Sequence, residues 1–589
     1  MRNRIFPLLV GAAVFILLVA VLVAPAGAAG GDTLVSVGSP TSPFSQNKQN
    51  EPAVAIDANN PNIVVAGSND NIDEEACNAG LDTTCPFTDG VGGSGVYFSF
   101  DSGSTWTQPT YTGYSARNCL GAVGGDDTTA PCVPQIGGPI GTLPWYYENG
   151  LVADGDPALA FGPAPGANGF DWANGSRLYY ANLTSGFTGN NGLKGAEGIA
   201  VSRTDDVTAA AAGDKNAWMP PVIASKQASA TFSDKEQIWA DNAESSPFFG
   251  NAYVCFGRFQ GAGGQAMMVL TSRDGGDTWA TKQVAGGSAV APSKWGTSGC
   301  TVRTDSQGTA YVFYEQFMNP DRFPNPIGTH FMVRSTDGGV SWTRPVAIGT
   351  TRDPCPLQQF DGTSGRCVMD GIAGARADLA GSPNVSIANG APTGEGATDE
   401  IVRAWVDATT TNEEHVMVST SFDGAQWTDP VQVESSGDRG YYTAPALSPD
   451  GTDLYLVYNA FTTPLRDDTT SDRGLVGVVM HADVAADGSL STLTEIHRGV
   501  VGDPRASSQN NIVMEFLGDY VYAAATNDYG VAVWNDTRNG ADCPAVDAWR
   551  AAMQADHSTY PDGRPAIEQA CPATFGNSDI YGGSYTDPT

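Results

Sequence analysis

The sequence predicts an all-β protein that folds as a β-propeller of four-stranded blades. Short β-like runs recur along the whole chain, long helical patterns are few, and 71 glycines and 37 prolines supply the turns. The runs form units that open near residues 52, 156, 236, 302, 380, 444 and 517, a period of about 60 to 100 residues with room for four short strands each. A radial array buries both faces of many small sheets and protects their edges. An assembly of β-sandwiches is the alternative.

Seven units favour seven blades, and six blades would result if the first and last units merged into one. The last unit lacks an outermost strand. The segment "DTLVSVGS", residues 32–39, could supply that strand and so close the ring with the N-terminal part of the chain.

Residues 1–28 have the pattern of a signal peptide. A basic "MRNR" precedes a long apolar run, and Ala26-Gly27-Ala28 forms a small-residue cleavage site. An uncleaved membrane anchor is the alternative, because the apolar run is long enough to span a bilayer. Residues 29–589 are then expected to be one secreted propeller domain, with an insertion near residues 543–571 that contains a helix at 545–556.

The ten cysteines are an even number in a chain whose leader predicts export, which favours disulfides over metal ligands. No C-x-x-C motif or cysteine–histidine cluster is present. Pairing of neighbours in the sequence would give Cys77–Cys85, Cys119–Cys132, Cys255–Cys300, Cys355–Cys367 and Cys543–Cys571.

The formal charge of −34 excludes nucleic acid and anionic membrane surfaces as the main partners of the mature chain. We expect a monomer that needs no cofactor. Histidines show no metal-binding spacing, and neither a P-loop nor a nucleophile elbow is present. The acidic segments "DGDP" and "DDTTSD" offer oxygen ligands for calcium, although solvated turns are the favoured interpretation.

A pattern S-x-D-x-G-x-x-W recurs three times, and a copy shortened by one residue follows. Aspartate and serine can accept hydrogen bonds within a tight turn, glycine permits positive φ, and tryptophan can pack between sheets. Motifs spread one per blade cannot converge on one catalytic site, so a structural role is favoured. The residues are Ser99, Asp101 and Trp106; Ser272, Asp274 and Trp279; Ser335, Asp337 and Trp342; and Asp423 and Trp427 of the short copy.

These stretches resemble the Asp-boxes, or BNR repeats, of the sialidase-like (neuraminidase) superfamily. "DKEQIWAD", "GDYVYAAATNDYGVAVWNDTR" and "SDIYGGSY" are also similar to segments of secreted bacterial sialidase-like propellers. The resemblance implies that the turns lie opposite the active site. It also implies glycoside hydrolysis by three arginines, a tyrosine–glutamate pair and an acid/base aspartate.

The first arginine of that family normally lies in an F/Y-R-I-P motif before the first Asp-box, and this chain has no arginine between Arg4 and Asp101. Charged residues at the starts of the innermost strands offer a displaced site. Arg303, Arg376 and Arg439 are predicted to clamp a carboxylate. Tyr442 with Glu236 or Glu515 would be nucleophile and base, and Asp156 the acid/base. Ion pairs that line the channel are the alternative interpretation.

The sequence therefore predicts a secreted propeller that hydrolyses or recognises glycans, of exo-sialidase type in the leading interpretation. Two alternatives stay open. One is a non-catalytic propeller that binds carbohydrate or protein, and the other is a glycosidase of different specificity that uses two channel carboxylates.

Overall fold

The computed structural model describes residues 31–76, 87–119, 132–187, 193–225, 228–260, 264–286, 294–318, 324–362, 364–372 and 375–588. The predicted signal peptide and the predicted Cys77–Cys85 bridge lie outside these residues. None of the helices among them is both long and apolar enough to cross a membrane.

Seven antiparallel sheets are arranged as blades around a central channel. Blade 1 contains strands Gln49–Ile56, Val64–Asp70 and Ser94–Ser99. Blade 2 contains Leu151–Ala153, Ala158–Pro163, Ser176–Gly186, Gly198–Thr204 and Trp218–Ile223. Blade 3 contains Thr231–Ala240, Ala252–Gln260, Gln265–Ser272 and Ala280–Ala285. Blade 4 contains Lys294–Thr304, Ala310–Met318, Ile327–Ser335 and Val346–Arg352.

The remaining three blades complete the circle. Blade 5 contains Asn384–Ile387, Ile401–Thr410, Glu413–Ser421 and Val431–Gln432. Blade 6 contains Arg439–Leu447, Asp453–Phe461, Leu475–Asp483 and Thr494–Arg498. Blade 7 contains Tyr522–Ala525, Tyr529–Asp536, Asp579–Thr586 and the N-terminal strand Thr33–Leu34. The innermost strand of each blade contacts those of both neighbours, so the ring is closed.

Ring closure follows the predicted scheme. Thr33 and Leu34 pair with Gly582 and Tyr581 of the last long strand, so both ends of the chain share blade 7. In blade 1, an isolated bridge between Phe98 and Thr107 takes the place of a fourth strand. The prediction of seven blades closed by an N-terminal strand is confirmed.

The connections between strands carry additional elements. The helices are α1 (Val207–Ala211), α2 (Pro544–Ala555) and α3 (Ile567–Ala570), with short 3-10 turns at Tyr147–Asn149, Trp172–Asn174, Lys215–Ala217, Pro504–Ala506 and His557–Thr559. Small hairpins pair Tyr111–Ser115 with Gln135–Ile140, Pro165–Gly166 with Gly169–Phe170, and Leu357–Phe360 with Gly365–Val368. Helix α2 confirms the helix predicted at 545–556.

Four disulfides match the predicted neighbour pairs. They are Cys119–Cys132, Cys255–Cys300, Cys355–Cys367 and Cys543–Cys571. Cys255–Cys300 joins blade 3 to the innermost strand of blade 4, and Cys543–Cys571 holds the insertion that contains α2 and α3. The pairing is therefore confirmed for these eight cysteines.

The S-x-D-x-G-x-x-W stretches form tight turns, as blade 3 illustrates. Ser272 Oγ donates to Asp274 Oδ1 at 2.9 Å and accepts from the Gly276 amide at 2.8 Å. Asp274 Oδ1 accepts from the Thr278 amide at 2.9 Å, and Trp279 Nε1 donates to the Gly276 carbonyl at 3.1 Å. These bonds to the carboxylate lower the pKa of Asp274, although its partial burial acts in the opposite direction.

The same serine and aspartate bonds recur in the other copies, around Asp101, Asp337 and Asp423. Each turn follows the third strand of its blade. Because that strand runs parallel to the innermost one, the turns lie at the face of the ring opposite the starts of the innermost strands. This second face is called the far face below.

Candidate functional site

The opposite face, where the innermost strands begin, is called the mouth. Several of these strands contain an extra residue that interrupts the pairing with the second strand. The register shifts between Asn50 and Ala53, Asp234 and Gln237, Ser298 and Thr301, and Gly440 and Tyr442. Such bulges redirect side chains and are common at the rims of barrels and next to active sites.

Three charged residues at the starts of innermost strands have left-handed backbone. Glu51, Asp156 and Lys235 have φ of 55°, 53° and 61°, and Gly299 has 59° at the equivalent place in blade 4. Residues other than glycine rarely adopt this conformation, and such positions concentrate at functional sites. Asn69 links two of them, since its Nδ2 donates to Glu51 Oε2 at 2.9 Å and its Oδ1 accepts from the Asp156 amide at 2.7 Å.

Asp519, just before the innermost strand of blade 7, anchors the cations of the mouth. Arg376 Nε lies 2.8 Å from Asp519 Oδ1, and its Nη2 lies 3.0 Å from Glu51 Oε1. Lys235 Nζ donates to Asp519 Oδ2 and lies 3.7 Å from Asp156 Oδ2 and 3.9 Å from Asp234 Oδ1. One ammonium group is therefore surrounded by three carboxylates.

Burial is the largest influence on the pKa values of these carboxyl groups. It raises the pKa of Asp156 well above the ordinary range, and the neighbouring charges of Glu51 and Asp234 add to the rise while Lys235 opposes it. Burial also raises the pKa of Asp234. The pKa of Asp519 is lowered instead, because the attraction of Arg376 and Lys235 outweighs burial.

A cavity of about 590 Å³ opens over this cluster. Asp156, Asp234, Lys235 and Arg376 line it from the innermost strands and the segment before blade 5, and Arg366, Asp378 and Phe259 line it from the rim. Arg366 Nη2 lies 2.6 Å from Asp378 Oδ2. The ring of Phe259 is 37 % exposed and packs edge-on against Phe232.

A second carboxyl pair lies on another wall of the same cavity. Asp353 lines the cavity, and burial and the adjacent Glu315 raise its pKa well above the ordinary range. Glu315 is buried and accepts a hydrogen bond from Ser382 Oγ at 2.9 Å. At both places a neighbouring carboxyl adds to burial in raising a carboxyl pKa, that of Asp156 and that of Asp353.

The predicted nucleophile and base lie one layer deeper. Tyr442 and Glu236 line a cavity of about 30 Å³ below the mouth, together with Asp519 and Tyr520. Tyr442 Oη donates to the Arg376 carbonyl, and burial raises the pKa of Tyr442 well above its ordinary value. The phenol is therefore neutral and already hydrogen-bonded.

The two predicted bases differ in their surroundings. Neither carboxylate oxygen of Glu236 has a hydrogen-bond partner among the described residues, and burial raises its pKa well above the ordinary range. Glu515 is buried close to Tyr441 and Arg550, whose pKa values its charge affects. Neither glutamate lines the mouth cavity.

The structure places the three arginines of the predicted carboxylate clamp in different surroundings. Arg376 lies in the mouth, where Glu51 and Asp519 already neutralise it. Arg439 Nε lies 2.6 Å from Glu414 Oε2, and its Nη2 donates to the Met369 carbonyl at 2.8 Å. Arg303 lines a separate cavity toward the far face. Its strand begins at Lys294, so Arg303 lies near the end of the strand and not at its start.

One group of possible metal ligands lies apart from the mouth. Ligand atoms of Asp453, His481, Asp483 and Asp587 lie within 4.8 Å of one another, where blade 6 meets the end of the last strand of blade 7. It does not include the acidic segments considered for calcium. In "DDTTSD", Asp468 instead accepts from the amides of Thr470 and Ser471, as in an ordinary turn.

Sequence reasoning missed Lys235, Arg366 and Tyr520. Lys235 lies between two acidic residues in "SDKEQ", and that alternation of charge at a strand start was the available signal. Arg366 belongs to the hairpin Leu357–Phe360 and Gly365–Val368, outside the blades, and nothing in its local sequence points to the mouth.

No family model matches the chain, and no curated protein is similar to it. Several solved structures are similar in fold. A polysaccharide lyase of family 25, an ulvan lyase, has 11% identity and a TM-score of 0.40 over 83% of this chain and 92% of its own. A Hadza microbial sialidase has 14% identity and a TM-score of 0.37 over 70% of this chain and 63% of its own.

The α-L-arabinofuranosidase Arb93A from Fusarium graminearum has 10% identity and a TM-score of 0.37 over 73% of this chain and 92% of its own. At these sequence identities and TM-scores, the comparisons carry no argument about the activity of this chain. In fold, the chain is a β-propeller of seven blades.

Proposed function

We propose that the mouth is the active site of a glycoside hydrolase that acts on uncharged sugar units, with Asp156 as general acid and Asp234 as the second carboxylate. The observation that carries this proposal is the position of both groups around Lys235 at the floor of an open cavity. Because each carboxylate oxygen lies within 4 Å of Lys235 Nζ, the two oxygens are at most about 8 Å apart, which suits a glycosidase pair.

Asp156 suits the acid because its raised pKa favours the protonated form. Burial and the charges of Glu51 and Asp234 raise its pKa, and its side chain still reaches the cavity. It would donate that proton to the glycosidic oxygen as the bond to the leaving group breaks.

Burial and the charges of Asp519 and Glu51 raise the pKa of Asp234, while Lys235 and Arg376 favour its charged form. Its position 3.9 Å from Lys235 Nζ suits the partner role. It would either attack the anomeric carbon or take a proton from the attacking water. The separation of the carboxyl groups distinguishes these courses, since nucleophilic attack needs about 5 Å and an intervening water needs more.

The charges of the mouth favour an uncharged sugar over a sialic acid. Arg376 and Arg366 are each paired with carboxylates of the protein, so neither guanidinium is free to bind a substrate carboxylate. The carboxylate of Asp234, the proposed charged partner, would repel one. The exposed ring of Phe259 offers an apolar surface on which a sugar ring can stack.

The test is turnover of a panel of umbelliferyl glycosides by the purified protein, with neutral α- and β-linked pyranosides and furanosides and one sialoside. We expect release from at least one neutral glycoside and a loss of about 100-fold or more in Asp156→Asn. Asp399→Asn is the matched control, because Asp399 also has left-handed backbone, φ 55°, but accepts from Ser306 at the far face.

Three results would overturn the proposal. They are no turnover of any neutral glycoside, equal turnover by wild type and Asp156→Asn, and turnover of the sialoside alone. The last would restore the exo-sialidase interpretation. For an active substrate, NMR of the first-formed anomer separates retention from inversion.

Glycan binding without turnover is the second candidate. The ion pairs of the mouth favour it, because Arg376 and Lys235 already have carboxylate partners within the protein. Calorimetric titration with the same sugars as free oligosaccharides separates the two, because a lectin-like mouth would bind them and leave every linkage intact.

A further inference from the structure

A second cavity occupies the far half of the central channel, with a volume of about 250 Å³. The ends of the innermost strands form its walls, which are mostly apolar. Ile56, Leu159, Phe161, Ile387 and Leu447 line it, together with Arg303, Trp239 and Tyr522. The volume is near the lower end for small-molecule sites, and we call this cavity the far-channel site.

Arg303 places an uncompensated positive charge in that cavity. Its Nη1 donates to the carbonyl of Val302 at 2.7 Å, and the guanidinium carbon lies 4.8 Å from the centroid of the Trp239 ring. No carboxylate among the described residues pairs with it. Asp528, the acidic residue that lines the cavity, is exposed at the rim.

Burial lowers the pKa of Arg303 to about 10, so the group keeps its charge at neutral pH. A charged group in an apolar cavity is costly unless an opposite charge accompanies it. Arg303 has no carboxylate partner among the described residues although the formal charge of the chain is −34.

Tyr522 supplies an independent observation. Its side chain is 6 % exposed and lines the same cavity, and its hydroxyl has no hydrogen-bond partner among the described residues. Burial raises the pKa of Tyr522, and the charge of Arg303 acts on it in the opposite direction. The hydroxyl is therefore neutral and able to donate to an acceptor in the cavity.

We propose that the far-channel site binds a monocarboxylate on a compact apolar group. The carboxylate would accept from the free nitrogens of Arg303 and from Tyr522 Oη, while the apolar part fills the space between the aliphatic walls. Guanidinium and carboxylate make paired, charge-assisted hydrogen bonds, and these strengthen in an apolar surrounding. The inference does not depend on the activity of the mouth, because the two cavities share no lining residue.

The probe is benzoate, with benzyl alcohol as its uncharged analogue, and both are titrated into the folded protein by calorimetry and by ligand-observed NMR. We expect benzoate to bind at least about ten-fold more tightly than benzyl alcohol, since a hydrogen bond to a charged group contributes about 1.5–3 kcal/mol. This comparison uses wild-type protein only, so it does not depend on whether a variant folds.

Two variants then locate the bound carboxylate. Arg303→Gln is expected to weaken benzoate by about ten-fold or more and to leave benzyl alcohol unchanged, and Tyr522→Phe to weaken benzoate by a smaller factor. Arg344→Gln, at an exposed arginine outside the channel, is the control and should bind as wild type does. Equal binding of benzoate and benzyl alcohol by wild type would overturn the inference. So would full benzoate affinity in folded Arg303→Gln.

Discussion

Arg376 Nε lies 2.8 Å from Asp519 Oδ1, and Lys235 Nζ donates to the other oxygen of the same carboxylate. The Asp519 side chain has no exposed surface, so two cations from separate blades depend on one buried anion. Removal of one member of a buried ion pair leaves its partners without compensation, which costs more than the pair itself stabilises.

We therefore expect Asp519→Asn to lower the free energy of unfolding by about 3–5 kcal/mol, measured by guanidinium denaturation. Asp472→Asn is the control. Asp472 also contacts an arginine, Arg505, at 2.7 Å, but its side chain is 96% exposed. The control should change stability by about 0.5 kcal/mol or less. Similar losses in both variants would contradict the role given to Asp519.

The same carboxylate predicts a dependence on pH. Its pKa in the folded protein is below the ordinary value of 3.8. The stabilisation is therefore complete above that value and is lost as the pH falls below it. The stability difference between wild type and Asp519→Asn should shrink between pH 5 and about pH 2, and a difference that grew on acidification would have the wrong sign.

Glu51 controls the protonation of the proposed acid. Its negative charge raises the pKa of Asp156, so Glu51→Gln should lower that pKa and move the alkaline limb of the kcat/KM profile to lower pH. A pH profile on an active glycoside measures the shift. Asp399→Asn should leave the limb in place, and loss of activity without any shift would make Glu51 a purely structural residue.

The turn after the third strand of blade 3 needs glycine for two reasons. Gly276 has φ of +88°, and a Cβ there would lie 2.7 Å from Arg203 Cδ. Gly437 has φ of +94° with nothing near its Cβ direction, so it isolates the effect of the backbone. We expect Gly437→Ala to cost about 1 kcal/mol and Gly276→Ala distinctly more, measured by thermal unfolding. Equal costs would mean that Arg203 moves aside freely.

The Cys255–Cys300 bridge links two blades beside the channel, and Cys300 follows the left-handed Gly299. Replacement of both cysteines by alanine should lower stability by about 2–5 kcal/mol, seen as a reduced midpoint in calorimetry. Cys543→Ser with Cys571→Ser releases only the insertion. That variant should unfold the α2 region without a matching loss in the blades. An unchanged midpoint after removal of Cys255–Cys300 would contradict the proposed bracing.

The blades could be predicted because the signals for each strand are local: alternating apolar and polar residues, flanking turn residues and the S-x-D-x-G-x-x-W turns. The closing role of Thr33–Leu34 was also predictable, from the strand missing in the last unit. The candidate site could be predicted only in part. Glu51 and Asp156 precede prolines at strand starts in "NEPAVAI" and "GDPALAF", and the structure places both at the mouth.

The positions of the predicted arginines and tyrosines depend on where each strand begins and on its bulges. A bulge shifts every following side chain by one position, and bulges depend on the pairing with the second strand, which a single sequence does not display. The sequence predicts Arg303 at the start of a strand. Its strand begins at Lys294, so Arg303 lies near the end of the strand, in the far half of the channel. Tyr441 and Tyr442 show the same effect, since both hydroxyls reach the Arg376 carbonyl.

The pairing of Thr33–Leu34 with Asp579–Thr586 also bears on how blade 7 completes its folding. Among the described residues, Thr33–Leu34 lies near the start and its partner strand near the end, so this pairing closes a very long loop, and such non-local pairing is slow. Until then, blade 7 keeps an unpaired edge that can associate with other chains. Deletion of Thr33–Leu34 or of residues within Asp579–Thr586 removes the same strand pairing of blade 7. Truncations at opposite ends of the sequence are therefore expected to expose the same blade edge.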